Sequence, residues 1–286
     1  VSQAAKDRRD RAAAEREAAQ AGERRRERMV RIIGAVTVVA VVAGIIGVAV
    51  IARNSSESTV ATDVPVADVN AAVPTGVYGS DDELKYGVPY GTATPDAPVL
   101  EVWEDFQCPA CAAVEQANGD GIAALAEEGK IQLVWRPATF LDRVNVGADP
   151  SVANSSTRAA AAWACAIDLG KTREYHDALY DNHPTPEGSG YTDAQLATIA
   201  EGAGITGADL ETFNQCVADG TYLGWAANSG ATFQEEGISG TPFGRLNGVE
   251  VPTEILADPA RLAALVDEAA QAGSGDPASS PSPAAS

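Results

Sequence analysis

The stretch EDFQCPACAAVEQ, residues 104–116, holds two cysteines, Cys108 and Cys111, with Pro109 and Ala110 between them. That spacing supports three chemistries: a thiol–disulfide redox couple, half of a tetrahedral metal site, or a static disulfide. A redox couple needs one sulfur held as thiolate, the nucleophilic form, against a free-cysteine pKa of about 8.5. A cysteine immediately before a helix is placed for that, because unsatisfied N–H groups and the positive end of the helix dipole favour the anion. Pro109 suits the first helical turn, where its missing N–H has no partner to lose. Cys111 then lies one turn deeper and reaches back to the first sulfur. On this reading Cys108 attacks or is attacked, and Cys111 resolves. A zinc site needs two further ligands. Cys165 and Cys216 do not form a CxxC, and His176 and His183 stand at no ligand spacing from Cys108, so no metal is expected.

These cysteines need a strand to deliver them and a helix to receive them. Residues 98–106, PVLEVWEDF, are apolar and aromatic with partial alternation, a strand signal. On that strand Glu104 shares the face of Val102, while Glu101 and Asp105 point the other way. The run CAAVEQANGDGIAALAEEG has a helical pattern interrupted around Asn118–Gly121 and ending near Gly129. Residues 130–136, KIQLVWR, read as a second strand, so the order strand–helix–strand implies a parallel pair with a crossover helix. From 151 to 235 strand signals vanish and helices with Gly or Asn stops follow one another. His176, in REYHDALYDNH, reads there as a packing or capping residue. Next come GISGTPF and GRLNGVEVP, the latter with Asn247–Gly248 as a hairpin turn. A terminal helix follows, with Asp258 as N-cap and Pro259 in its first turn.

The 286-residue chain is uneven outside this region. Residues 1–52 carry ten Lys/Arg against six Asp/Glu, whereas residues 54–286 carry nine against 34. So acidic a body excludes nucleic acid and anionic lipid as its main partner. Residues 32–52, IIGAVTVVAVVAGIIGVAVIA, run uncharged between Arg31 and Arg53. At about 1.5 Å per residue they span a bilayer core of roughly 30 Å. The Arg-rich leader, residues 1–31, puts the N-terminus in the cytoplasm and the rest outside, with the segment as an uncleaved anchor at the cell membrane. Residues 53–79, small and polar with prolines, read as a flexible linker, and residues 273–286 as a disordered tail. The folded part divides into residues 80–153 and 236–272, carrying the strands, and residues 154–235, carrying the helices.

The layout together with EDFQCPAC, GISGTPF and LNG resembles a DsbA-like thioredoxin-fold disulfide oxidoreductase, and more narrowly the membrane-anchored type of actinobacterial envelopes. The resemblance covers roughly residues 88–272. It implies an α/β thioredoxin-like fold with an inserted helical domain, preceded by a single transmembrane helix. It implies a cis-proline loop at Thr241–Pro242 that packs against the CxxC and offers backbone groups to a substrate peptide. It implies exchange through the cysteine pair itself, with no cofactor beyond that redox-active disulfide. Family members usually carry a buried acid six residues before the first cysteine; that position is Val102, and Glu104 is the candidate proton relay in its place. The Pro109–Ala110 dipeptide lacks the histidine of strongly oxidising members, so Cys108 is expected to be less acidic than theirs. Cys165 and Cys216, in an oxidising compartment, are expected to form a separate structural disulfide. The implied activity is disulfide formation in exported proteins, with unfolded exported chains as substrates and a quinone-linked membrane partner for re-oxidation. The alternatives are a reductase or isomerase, and a thioredoxin-fold accessory or assembly subunit of a membrane complex such as a respiratory one.

Overall fold

The computed structural model describes residues 67–92, 94–143, 150–186 and 188–273. The basic leader, the span 32–52, the linker as far as residue 66 and the tail beyond Gly273 lie outside these residues. Among the described residues no helix is long and apolar enough to cross a membrane.

Five strands form one sheet: β1 (Val88–Tyr90), β2 (Val99–Glu104), β3 (Gln132–Pro137), β4 (Phe243–Leu246) and β5 (Val249–Val251), in the spatial order β1-β3-β2-β4-β5. β2 and β3 are parallel, with Val102 opposite Trp135, and helix α1 (Pro109–Glu127) makes the crossover between them. β1, β4 and β5 are antiparallel to their neighbours. The β4–β5 turn is Asn247–Gly248, both residues at positive φ. Asn247 also ties this turn to β2, its side chain accepting from Val99 N and its N–H donating to the Val99 carbonyl.

The alternation of β2 and β3 sorts their side chains onto two buried faces. Leu100, Val102, Leu133 and Trp135 join the main core beneath α1, and Trp103 packs with Phe233 and Ile238 in a second cluster. Among the described residues, five α-helices are inserted between β3 and β4: α2 (Ser155–Asp168), α3 (Thr172–Asp181), α4 (Asp193–Gly202), α5 (Ala208–Ala218) and α6 (Leu223–Glu235). After β5 come a single turn, α7 (Thr253–Leu256), and the terminal helix α8 (Pro259–Gly273). The Asp258 carboxylate caps α8, accepting from the N–H groups of Ala260 and Arg261.

Two expectations need correction. The helix after the cysteines is not interrupted at Asn118–Gly121; α1 runs unbroken for 19 residues. Gly is worth about 1 kcal/mol less than Ala inside a helix, but here the space is used. A Cβ on Gly119 would collide with the Glu115 carboxylate, and one on Gly121 with the Asn118 amide oxygen. Asn118 is buried, and its Nδ2 donates to the Leu256 carbonyl at 2.6 Å, fastening α1 to α7. The flexible linker likewise does not extend over residues 67–79. Asn228 Nδ2 donates to the Asp68 carbonyl at 2.7 Å, Thr75 N donates to Asp168 at 2.8 Å, and Pro74 is buried, so this segment is docked on α2 and α6.

Cys165 of α2 and Cys216 of α5 are joined as a disulfide, with Cα atoms 6.0 Å apart and a sequence separation of 51. A loop of that size gives about 2–4 kcal/mol by restricting the unfolded chain. Replacing both cysteines by Ala should lower stability by that amount in denaturant unfolding. Exchange chemistry at Cys108 should remain unchanged in the variant below its unfolding midpoint, because the clasp lies in the inserted helices.

Candidate active site

The turn between β2 and α1 is built by Asp105. Its Oδ1 accepts from Gln107 N at 2.9 Å and from Ser156 Oγ at 2.6 Å, and its Oδ2 accepts from Leu141 N at 3.1 Å. Its carbonyl accepts from Cys108 N at 2.8 Å. Burial pushes this carboxyl up to about 7 despite those donors. Ser156 belongs to the first turn of α2, so one side chain joins the sheet, the cysteine turn and the inserted helices.

Cys108 is the N-cap of α1, with extended backbone, and Pro109 follows in the first turn. The Cys108 side chain is nearly covered and Cys111 is fully buried behind it. Both are free thiols, and Cys108 Sγ lies 3.3 Å from the Thr241 carbonyl. The Thr241–Pro242 peptide is cis. GISGTPF and CPAC thus meet at one sulfur, through Cys108 and Thr241, 133 residues apart in the chain.

The two thiols are driven in opposite directions. The Cys111 thiol donates to Cys108 and does most to lower it to about 6, against the upward push of burial; the Thr241 side chain and the N–H groups of Cys111 and Ala110 add to the lowering. Cys111 is raised well above its ordinary value by burial, then by its bond to Cys108 and by the negative charge of Glu104. One sulfur is therefore a thiolate near neutrality and the other a thiol. Thiolate absorbance should show Cys108 titrating with a midpoint near pH 6, the activity of the reduced protein as a nucleophile falling below it. Cys111→Ala, which removes the strongest donor, should move that midpoint upward, toward the free-cysteine value of about 8.5.

Glu104 ends β2 and turns into the protein beneath the cysteines. It is buried, and its Oε2 lies 3.1 Å from His176 Nε2. The other nitrogen, Nδ1, lies 3.1 Å from Asp177 Oδ1, and the ring stacks on Trp135 at 4.4 Å. Burial pulls the imidazole down, but the hydrogen bonds to Asp177 and Glu104 and the charges of Glu115 and Glu104 outweigh it and raise it to about 10. His176 is thus a packing residue among aromatic rings, as read from the sequence, and it also bridges the carboxylates of Glu104 and Asp177. Glu115 of α1 completes the group. Burial, the Glu104 charge and a hydrogen bond to Glu104 raise its carboxyl well above the usual range. Glu115 carries no motif of its own in the sequence. The signal available was the i,i+4 spacing from Cys111, which puts it on the cysteine's side of the helix. Glu104, Glu115 and His176 offer donor atoms all within 4.8 Å of one another, the group among the described residues able to hold a metal ion. Protons on His176 and Glu115 balance the same charges.

A groove of about 760 Å³ runs from Pro109 along α1, with Glu115 and Gly119 on one wall and Asp177 and Tyr180 of α3 on the other. Among the other marked residues, Ala110 is exposed at the helix start, and His183 lines this groove away from the sulfurs.

The thioredoxin family model matches residues 87–268. The fold is similar to that of MdbA, a thiol-disulfide oxidoreductase from Actinomyces oris, at 23% identity over 71% of this chain and 95% of that one, with a TM-score of 0.57. Oxidised DsbA from Mycobacterium tuberculosis is 26% identical over 64% of this chain and 92% of its own, with a TM-score of 0.52. Oxidised BdbD from Bacillus subtilis is 17% identical over 71% of this chain and 100% of its own, with a TM-score of 0.54. No curated protein sequence matches the chain.

Proposed function

Proceeding from a chain that belongs to the thioredoxin family and has the DsbA-type fold, we propose that it oxidises thiols of exported proteins outside the membrane through the Cys108–Cys111 pair. The observation that carries this reading is the polarised pair: a thiolate at the helix N-terminus, a buried thiol behind it, and the Thr241–Pro242 loop against the first sulfur. In the oxidised protein a client thiolate attacks Cys108 Sγ. The Cys108–Cys111 bond breaks, a client–Cys108 bond forms, and Cys111 leaves with the electron pair and takes a proton. The second client thiolate then attacks the client sulfur of the mixed disulfide and releases Cys108 as thiolate. Two electrons pass to the cysteine pair, and no other cofactor is required. A membrane partner that passes electrons to quinone would restore the disulfide.

A stable leaving thiolate makes a disulfide easier to reduce. A value of about 6 for Cys108 lies between those of the thioredoxin and DsbA sulfurs, about 7 and about 3.5. The pair should therefore be a milder oxidant than one tuned by a cation between the cysteines, in keeping with Ala110 at that position. The external placement is supported by the Arg-rich leader before residues 32–52 and by the Cys165–Cys216 disulfide, a bond that persists in oxidising compartments.

The test is to mix the oxidised protein with a reduced, unfolded client containing two cysteines. One client disulfide should form per protein disulfide consumed, with a reduction potential above thioredoxin's value of about −270 mV. A potential below that value would overturn the oxidising direction. In intact cells an impermeant thiol reagent should label reduced Cys108; labelling only after lysis would overturn the external placement.

A further inference from the structure

The exchange written above uses neither Glu115 nor His176. We propose that these two side chains and Glu104 form a binding site for one divalent transition-metal ion of the zinc class, entered from the groove between α1 and α3. The proposal goes beyond the oxidoreductase reading and does not depend on it.

The ligands come from three elements: Glu104 ends β2, Glu115 lies in α1 and His176 in α3. One donor atom of each lies within 4.8 Å of the other two, and His176 Nε2 stands 3.1 Å from Glu104 Oε2. Donors bound to zinc at about 2.0–2.2 Å on a tetrahedron stand roughly 3.4 Å apart, so small side-chain shifts close the set on an ion. Two carboxylates and a neutral imidazole carry two negative charges, which a dication cancels. The filled site is then neutral, as a buried site requires. The imidazole favours zinc-like ions over calcium and magnesium, which take oxygen shells.

His176 is oriented for ligation. Its Nδ1 lies 3.1 Å from Asp177 Oδ1. A carboxylate in that position holds the far side of a metal-bound imidazole and turns its Nε2 to the ion. Stacking on Trp135 fixes the ring further. Two buried oxygens also lack the partner that an ion would supply. Glu104 is 4% exposed, and its Oε1, like Oε1 of Glu115, has no hydrogen bond. Independently of the ligands, Tyr180 points to an occupant. It is 7% exposed, its ring packs 5.1 Å from that of His176, it lines the groove beside Glu115, and its hydroxyl has no partner. Three protein ligands leave the fourth zinc position to water, and the Tyr180 hydroxyl is the group available to bond that water. The groove, about 760 Å³ in volume, is the entry path. Gly119 keeps the Glu115 carboxylate in place, since a Cβ there would lie 2.3 Å from its Oε2.

The test uses the full-length chain in mild detergent, stripped by a chelator. The Cys108–Cys111 pair is kept oxidised, so that no thiol competes for the ion. Isothermal titration should show one Zn²⁺ bound per chain. Co²⁺ should give visible d–d bands without a sulfur charge-transfer band. Zn²⁺ should also raise the unfolding temperature, because an ion held only by the folded chain stabilises it. Asp177→Asn, which leaves the three ligands but loosens the ring, should weaken binding by about 10–100-fold. Glu115→Gln and His176→Gln each remove a ligand and should weaken it more. His183→Gln, which removes the other imidazole of the groove wall, should bind as the wild type does. Circular dichroism checks that each variant folds, and Glu115→Gln, on the groove wall, decides the matter if His176→Gln does not fold. No Zn²⁺ uptake by the folded wild type would overturn the site and leave its charges balanced by protons alone. Binding lost in His183→Gln and kept in Glu115→Gln would overturn it as well, as an adventitious ion only. Neither result bears on thiol exchange, which the client assay reads separately.

Discussion

Cys108→Ser is expected to reduce client oxidation to the uncatalysed rate, whereas Cys111→Ser is expected to react once with an activated client disulfide and stop as a mixed disulfide. The two cysteines are chemically identical in the unfolded chain, so the difference is made by position. Cys108 stands before the first turn of α1, against N–H groups and the Thr241 side chain, and is a thiolate at neutral pH. Serine there has no accessible anion and cannot form the bond that defines the reaction. Cys111 lies behind it, fully buried, with its proton held by burial, by Cys108 and by Glu104. Removing it leaves the attacking sulfur in place but takes away the one that closes the cycle. Mass spectrometry of the two variants after incubation with a client reads this directly: no adduct on Cys108→Ser, and one client per chain on Cys111→Ser. Adduct formation on Cys108→Ser would assign attack to Cys111 and invert the mechanism. Thermal unfolding of both variants should stay close to the wild type, since each swap replaces sulfur by oxygen at similar volume.

The reaction is also expected to follow pH in a way set by the pair. Nucleophilic attack by the reduced protein requires the Cys108 thiolate, so it should rise through about pH 6 and level off above it. The same group links stability to pH. Its folded value is below its unfolded one of about 8.5, so its contribution to the reduced fold is fully present above the unfolded value and fades as pH falls through about 6.

What the sequence discloses about this site depends on the range over which each residue acts. The turn EDFQC and the helix start are local: Pro109 after Cys108 and apolar residues before it specify strand, turn and N-cap within a dozen residues. Strand parity carries a little further. The alternation along β2 places Glu101 and Glu104 on opposite faces, and in the structure Glu101 meets Arg136 while Glu104 meets His176. The partners themselves are not legible, because His176 is 72 residues from Glu104 and reaches it only when α3 packs over the sheet. Propensity misleads at Asn118–Gly121 for a related reason. Read alone, Asn and Gly signal a break; what they respond to is the space needed by Glu115 and the Leu256 carbonyl held by Asn118, neither visible in a one-dimensional pattern.

Arg136→Met is expected to destabilise the fold by about 3–5 kcal/mol. Arg136 of β3 is almost fully buried. Its guanidinium lies 4.1 Å over the Trp103 ring, donates to the buried Glu101 of β2, and donates to Glu236 at 3.0 Å. Glu236 also takes a bond from Arg245 of β4, so the pair of cations holds three strands and the end of α6 together on the sheet face opposite the cysteines. The Coulombic gain of such a pair largely offsets the cost of taking both charges out of water, so the pair itself adds little net stability. Removing one member is different, because Glu101 is then an ion in the interior with no counter-charge. That distinction gives the prediction its check. Glu101→Gln added to Arg136→Met should recover most of the loss, since two uncharged side chains of similar volume fill the space without a stranded ion. Denaturant unfolding of the two single variants and the double variant closes the cycle. Additive losses would show that Arg136 acts through its packing on Trp103 rather than through Glu101. Throughout the series the Cys108 titration should stay near 6, because this charge network lies on the far side of the sheet from the sulfur.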